Sequence, residues 1–181
     1  GDCITLSEET LLQYKVNEKT KLSNTIVEDI IDSDQQATIK RKIIILLSYR
    51  VRSTHELREL FLSKGFKKTN IVVAINELLK RKYLDNEKFS SIYCKYLIKE
   101  KKFGRNLVLN KMLSHNLPYA LIESQMDNLY ELYPSKYLIK QWLNKKKFKI
   151  VKPKNKNIKI INFLKRKGFS WDDIMSSLEN F

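Results

Sequence analysis

Few residues in this sequence could do covalent or metal chemistry, and they lie far apart. His55, His115, Cys3 and Cys94 are the only imidazole and thiol groups in 181 residues. A metal centre needs three or four donors at ligand spacing, and a nucleophile needs a base beside it. Neither histidine pairs with a second His or Cys at such a spacing. His55 falls just inside a predicted helix start. His115 falls just before a helix end, where an imidazole suits the negative pole of the helix dipole. Cys94 lies on the apolar side of its predicted helix, as a small core residue would. Neither the Rossmann, P-loop, zincin nor serine-hydrolase signature occurs, and four glycines leave no phosphate-cradling loop. These residues predict a non-enzyme that uses no cofactor and no metal.

The chemistry that remains is charge. The net charge is +15, and it is unevenly placed. Residues 1–38 hold eight acids and three bases, whereas residues 132–171 hold 13 bases and no acid. A field of this sign attracts polyanions and speeds their encounter. A competing reading is compositional. Lysines outnumber arginines 28 to 7, as an AT-rich genome would produce without selection for binding. On the first reading, the candidate contacts for a partner or for DNA are Arg50, Arg52, Lys101, Lys102, Arg105, Lys145, Lys146, Lys147, Lys152, Lys154, Lys165, Arg166 and Lys167.

The elements that would position these side chains are predicted to be helices in a tandem array. A pattern of apolar residues around a helix stop recurs three times, 51 to 52 residues apart. The first copy is Leu57, Phe61, Gly65, Phe66, Ile71, Ile75 and Leu78. The second is Val108, Met112, Asn116, Leu117, Ile122, Met126 and Leu129. The third is Ile160, Leu164, Gly168, Phe169, Ile174, Leu178 and Phe181. Gly and Asn stand where a left-handed residue ends a helix. Identical offsets in three copies mark repeated helical units, each burying its stripe against its neighbours.

Start signals fill in the rest. Ser7 is predicted to cap a short helix through Leu11 and Leu12, after a β-like run at Ile4-Thr5-Leu6. Leu22-Ser23-Asn24 starts another helix through Val27, Ile30 and Ile31. Residues 36–50 then read as the first helix of the first unit, with Ile39, Ile43, Leu46 and Leu47 inward. Ser53 and Glu56 fit a capping box. Asp85 is expected to cap the next helix, with Phe89, Ile92, Tyr93, Tyr96 and Leu97 buried and Gly104 as its breaker. Pro118 suits a first turn. Ser135 should cap a helix with Tyr137, Leu138, Trp142 and Leu143 inward. Residues 145–157, with Pro153 inside, read as a basic loop or a frayed helix end. Ser170-Trp171-Asp172-Asp173 is a further N-terminal signature.

At this point the residues resemble a known family. Leu46-Leu47-Ser48-Tyr49-Arg50-Val51-Arg52-Ser53-Thr54-His55-Glu56-Leu57, Lys64-Gly65-Phe66, Tyr83-Leu84-Asp85 and Phe89 resemble the first repeat of the RecX family of bacterial recombinase regulators. Phe103-Gly104-Arg105 and Leu107 resemble the start of its middle repeat. Phe163-Leu164-Lys165-Arg166-Lys167-Gly168-Phe169-Ser170, with Asp173 and Ile174, resembles its C-terminal signature. There are departures. Lys82 stands where the family often has Gly, Asn86 replaces an Asp, and the middle repeat ends in His115-Asn116 instead of Lys-Gly.

The resemblance implies an all-α fold of three tandem three-helix, helix-turn-helix-like repeats in an elongated curved array. The expected parts are an N-terminal extension over 1–35, read as the tail of a longer segment, and repeats over 36–84, 85–134 and 135–181. The resemblance also implies a regulator that binds the RecA filament on single-stranded DNA and inhibits its ATPase, strand exchange and co-protease activity. A cytoplasmic monomer with two free thiols is expected. No apolar run reaches the ~18 residues of a membrane span, and no signal peptide is visible. The alternative is a basic helical protein acting directly on single- or double-stranded DNA. Its third helices, however, offer few Arg, Asn or Gln side chains on one face for reading bases.

Overall fold

The chain, as a computed structural model, is described over residues 5–15, 22–152 and 157–179. Cys3, Ile4, Pro153, Lys154 and Phe181 lie outside the described residues. Among the described residues there are ten α-helices and no β-strand, so Thr5 and Leu6 are not part of a sheet. The chain divides into two compact units, residues 1–85 and 86–181.

The first unit holds α1 (Glu8–Tyr14), α2 (Asn24–Tyr49), α3 (Thr54–Ser63) and α4 (Lys68–Lys80). Ile39 and Ile43 of α2 pack with Leu57 and Phe61 of α3 and with Ile71, Ala74, Ile75 and Leu78 of α4. Ser53 caps α3 as expected, its hydroxyl accepting from the Glu56 N–H at 3.1 Å. The stop after α3 is a Schellman turn. Gly65 has φ +81°, and the Phe66 N–H reaches the Phe61 carbonyl at 3.2 Å.

One helix is longer than expected. The helix starting at Ser23 runs without a break to Tyr49, so the predicted start at residue 36 lies inside it. The reason is polar. Asn70 of α4 is buried, and its amide donates to Asp32 and to Gln35, each at 3.0 Å. Its carbonyl oxygen accepts from Gln36 at 3.1 Å. Lys67 pairs with Asp32 and Lys40 with Glu77, both at 2.7 Å. The middle of α2 therefore docks through hydrogen bonds, leaving a polar gap in the apolar stripe between buried Ile30 and Ile39. Asp34 similarly holds α1. Its carboxylate accepts from the Ser7 N–H at 2.9 Å and from the Thr10 hydroxyl at 2.8 Å. Partial burial pushes the Asp34 carboxyl up, but the Ser7 and Thr10 hydrogen bonds and the Arg41 charge outweigh it and leave it below the usual range.

The second unit holds α5 (Asn86–Lys95), α6 (Arg105–Leu113), α7 (Tyr119–Leu132), α8 (Ser135–Lys146), α9 (Ile158–Arg166) and α10 (Trp171–Glu179). A π-helical turn, Tyr96–Glu100, extends α5. The described members of the repeated pattern are buried here as well: Val108, Met112, Leu117, Ile122 and Met126, then Ile160, Leu164, Phe169, Ile174 and Leu178, with Leu129 half-buried. Asn116 at φ +53° and Gly168 at φ +90° are the left-handed stops. Lys82, at the position where the resemblance expects Gly, is also left-handed, at φ +58°.

Several local expectations are corrected. Phe89 and Leu97 are buried with Cys94 and Ile98, but Ile92 and Tyr96 are exposed. Tyr93 stands at the boundary, stacked between Phe89 and Tyr96 and edge-on to His115 at 4.9 Å. Tyrosines favour such a half-wet position because the hydroxyl keeps contact with water. Ser135 is the first residue of α8, with Pro134 as N-cap, and Tyr137 is exposed. Burial pushes the Cys94 thiol up to about 11, so it is a protonated core residue.

Gly104 is not a helix breaker. Its φ is −78°, and it is the N-cap of α6, while left-handed Lys102 ends the preceding turn. Glycine is required by contact. A Cβ here would lie 2.4–2.5 Å from the Gly168 carbonyl and the Phe169 nitrogen. A Cβ on Gly168 would lie 2.3–2.4 Å from Leu107. The two backbones are joined by the Gly104 N–H to the Lys167 carbonyl at 2.8 Å and the Asn106 N–H to the Gly168 carbonyl at 3.1 Å.

Alanine at each glycine should separate conformation from contact. Gly65→Ala meets nothing within 4 Å and should cost only the left-handed penalty, about 1–2 kcal/mol. Gly104→Ala forces backbone apart, at about 1–3 kcal/mol or more, and Gly168→Ala combines both effects. Thermal melts should rank Gly168→Ala as the largest loss and Gly65→Ala as the smallest. Equal losses would contradict a contact role for the pair.

Candidate polyanion-binding face

The candidate cations divide by what they touch. Arg50 and Arg52 both pair with Glu56, with Arg50 Nη1 at 3.0 Å from Oε2. The Arg52 side chain is only 16% exposed. Partial burial raises the Glu56 carboxyl, but the two arginines outweigh it and hold it below its ordinary value. These arginines therefore close the α2–α3 corner. Arg105 pairs with Asp127 and lies 5.9 Å from the centre of the Tyr130 ring. A hydrogen bond to Asp127 raises the Arg105 guanidinium further, so it stays charged.

Around the glycine contact, most polar groups are engaged. Trp142 Nε1 donates to the Lys102 carbonyl at 2.8 Å, and the Tyr130 hydroxyl donates to the Phe103 carbonyl at 2.9 Å. Burial pushes the Tyr130 phenol far above its ordinary value, which keeps it a donor. Lys167 is drawn into the same place. Its ammonium lies 4.7 Å from the centre of the Trp142 ring and 5.5 Å from those of Phe103 and Phe163. An ammonium against several ring faces is held by their quadrupoles, and its alkyl stem covers apolar surface.

The remaining candidates face outward. Lys101, Lys145, Lys146, Lys147, Lys152, Lys165 and Arg166 are exposed. Lys101 lies over Tyr96 at 5.2 Å and Lys145 over Trp142 at 5.5 Å. Lys102 is half-buried and donates weakly to the Lys99 carbonyl at 3.5 Å. Lys154 lies outside the described residues. Among the described residues, no ion pair uses a cation from the acid-free segment 132–171.

Two of these cations share a groove of about 680 Å³ with residues not anticipated from the sequence. Its lining is Phe148, Lys159, Asn162, Phe163, Lys165 and Arg166. Lys159, Asn162 and Arg166 follow i, i+3, i+7 on α9, opposite the buried stripe Ile160, Ile161 and Leu164. That two-sided pattern was the available signal for Lys159 and Asn162. The groove carries three cations and no carboxylate. Such a site can bind anions. Among the described residues no cluster of His, Cys, Asp and Glu could hold a metal, and no helix is long and apolar enough to cross a membrane.

No family profile matches the chain. It is 26% identical over 171 residues to Regulatory protein RecX of Listeria innocua, covering 91% of this chain and 62% of that protein. It is 24% identical over 123 residues to Regulatory protein RecX of Geobacillus kaustophilus, covering 68% of this chain and 46% of that protein. Regulatory protein RecX of Lactococcus lactis aligns over 99% of this chain at 23% identity. The chain is similar to RecX-family proteins over most of its length. Its fold agrees with two RecX crystal structures. One has a TM-score of 0.75 at 16% identity and covers 99% of this chain and 90% of the other. The second, from Lactobacillus salivarius, has a TM-score of 0.64 at 20% identity, covering 82% and 97%. The chain spans 46–62% of the length of the Geobacillus and Listeria relatives. The RecX name carries a regulatory role, and the all-α repeat fold is shared.

Substitution should separate packed from displayed lysines. Lys167→Ala should lower stability by about 1–2 kcal/mol, because a caged cation and its stem are lost. Lys146→Ala should change it by under about 0.5 kcal/mol, as for an ordinary surface site. Denaturant melts of both variants give the comparison, and equal effects would contradict the cage.

Proposed function

We propose that this chain regulates a RecA-type recombinase by binding the RecA–single-stranded DNA filament and suppressing its ATPase, strand exchange and co-protease activity. The observation that carries the reading is alignment with proteins named Regulatory protein RecX over 68–99% of the chain. The physical features suit the role. We take residues 36–84, 85–134 and 135–181 as three repeats of one design. Repeated units offer similar contacts to the identical protomers of a filament, and linked contacts raise avidity without one strong site. An acid-free basic segment favours encounter with a polyanionic assembly. We place the protein in the cytoplasm, where its target would be, as a monomer without cofactor.

Filament binding tests the reading. The chain should co-sediment with cognate RecA on single-stranded DNA. Reversing Lys145, Lys146 and Lys147 to Glu should weaken that binding about tenfold or more while leaving helical circular dichroism unchanged, since close charge pairs at an interface are worth 1.5 kcal/mol or more. Unchanged binding by the folded variant removes this lysine cluster from the interface, and no co-sedimentation by the parent chain overturns the reading.

A further inference from the structure

The α9 groove combines three features. Lys159, Lys165 and Arg166 place cations along it without a carboxylate among its lining residues. Asn162, exposed between them, offers an amide donor and acceptor. Trp171 stands beside it, 48% exposed, with the Lys165 ammonium 4.8 Å from its ring centre.

We propose that this groove is a binding site for single-stranded nucleic acid. The cations would take consecutive phosphates, Asn162 a base edge, and the Trp171 face a stacked base. The assignment deepens the reading above and rests on it only for the source of the strand, the DNA within the filament. Charge alone would equally suit an acidic protein segment. The exposed indole and the amide favour nucleic acid, because stacking on an aromatic face is the part of single-strand binding that an acidic peptide does not share. A duplex hides its bases in the stack, so it could use the cations but not the indole. Lys167 is not among the lining residues, since its ammonium is held against the rings of Phe103, Trp142 and Phe163.

The test uses the full chain with a fluorescent oligothymidylate and no recombinase, so failure of this site is distinct from failure of filament regulation. Anisotropy titrations between 50 and 200 mM salt should show salt-dependent binding. The triple variant Lys159→Ala, Lys165→Ala, Arg166→Ala should lower the salt slope by about 2, at roughly 0.7 per phosphate contact. Trp171→Leu should weaken binding about tenfold with its salt slope kept, as expected for a lost stack. Both changes are at exposed side chains, and circular dichroism confirms that each variant is folded. An indole that makes no difference, together with equal displacement by polyglutamate, would assign the groove to an acidic protein segment. Equal affinity for duplex and single strand, or a triple variant that binds as the parent does, would also overturn the proposal.

Discussion

Gly104 and Gly168 meet backbone to backbone, and the second unit is organised around that approach. Two hydrogen bonds cross it, from Gly104 to Lys167 and from Asn106 to Gly168. They set the start of α6 against the end of α9, which belongs to a different copy of the repeated pattern. Around them, Trp142 and Tyr130 consume the neighbouring carbonyls, and the rings of Phe103, Trp142 and Phe163 close over Lys167. A single methyl on either glycine would occupy space now filled by backbone. The cost of unpaired buried polar groups then makes the surrounding donors and acceptors depend on the same spacing. The groove on α9 inherits its geometry from this arrangement, because the buried side of that helix leads directly into the Gly168 stop.

The distribution of charge follows from the same packing. Where the chain has carboxylates, its cations are spent on structure: Arg50 and Arg52 on Glu56, Arg105 on Asp127, Lys40 on Glu77. In the acid-free segment, three lysines lie against rings in place of carboxylates. Lys167 is half-buried against three rings, whereas Lys145 and Lys165 lie over one ring each and remain open to solvent. A cation over a single ring keeps most of its hydration and its charge available to a second partner. This division assigns the displayed charge to a smaller set of side chains than a count of basic residues would.

Much of the fold was legible because its signals are local. A left-handed stop with a fixed apolar offset on each side can be read from sequence, and Gly65, Asn116 and Gly168 all adopt it. Caps at Ser7, Ser23, Ser53 and Ser170 are equally local, each hydroxyl accepting from the N–H three residues on. The continuity of the long α2 was not legible, because the stretch between Ile30 and Ile39 is polar and bound by the Asn70 network. The role of Gly104 was hidden because its constraint comes from a residue distant in sequence. The exposed side of α9 could have been read from the periodicity of Lys159, Asn162 and Arg166, but Phe148 joins it only through tertiary structure. A lysine destined for an aromatic cage looks like any other lysine in a lysine-rich segment.

The central claim, filament regulation, is tested most directly by the DNA-stimulated ATPase of the cognate RecA, with this chain titrated in at fixed salt and single-stranded DNA in excess. The account predicts inhibition at well under one chain per recombinase protomer, because a bound array acts on an assembly and excess DNA cannot be sequestered. Full ATPase activity at and above one chain per protomer would contradict it.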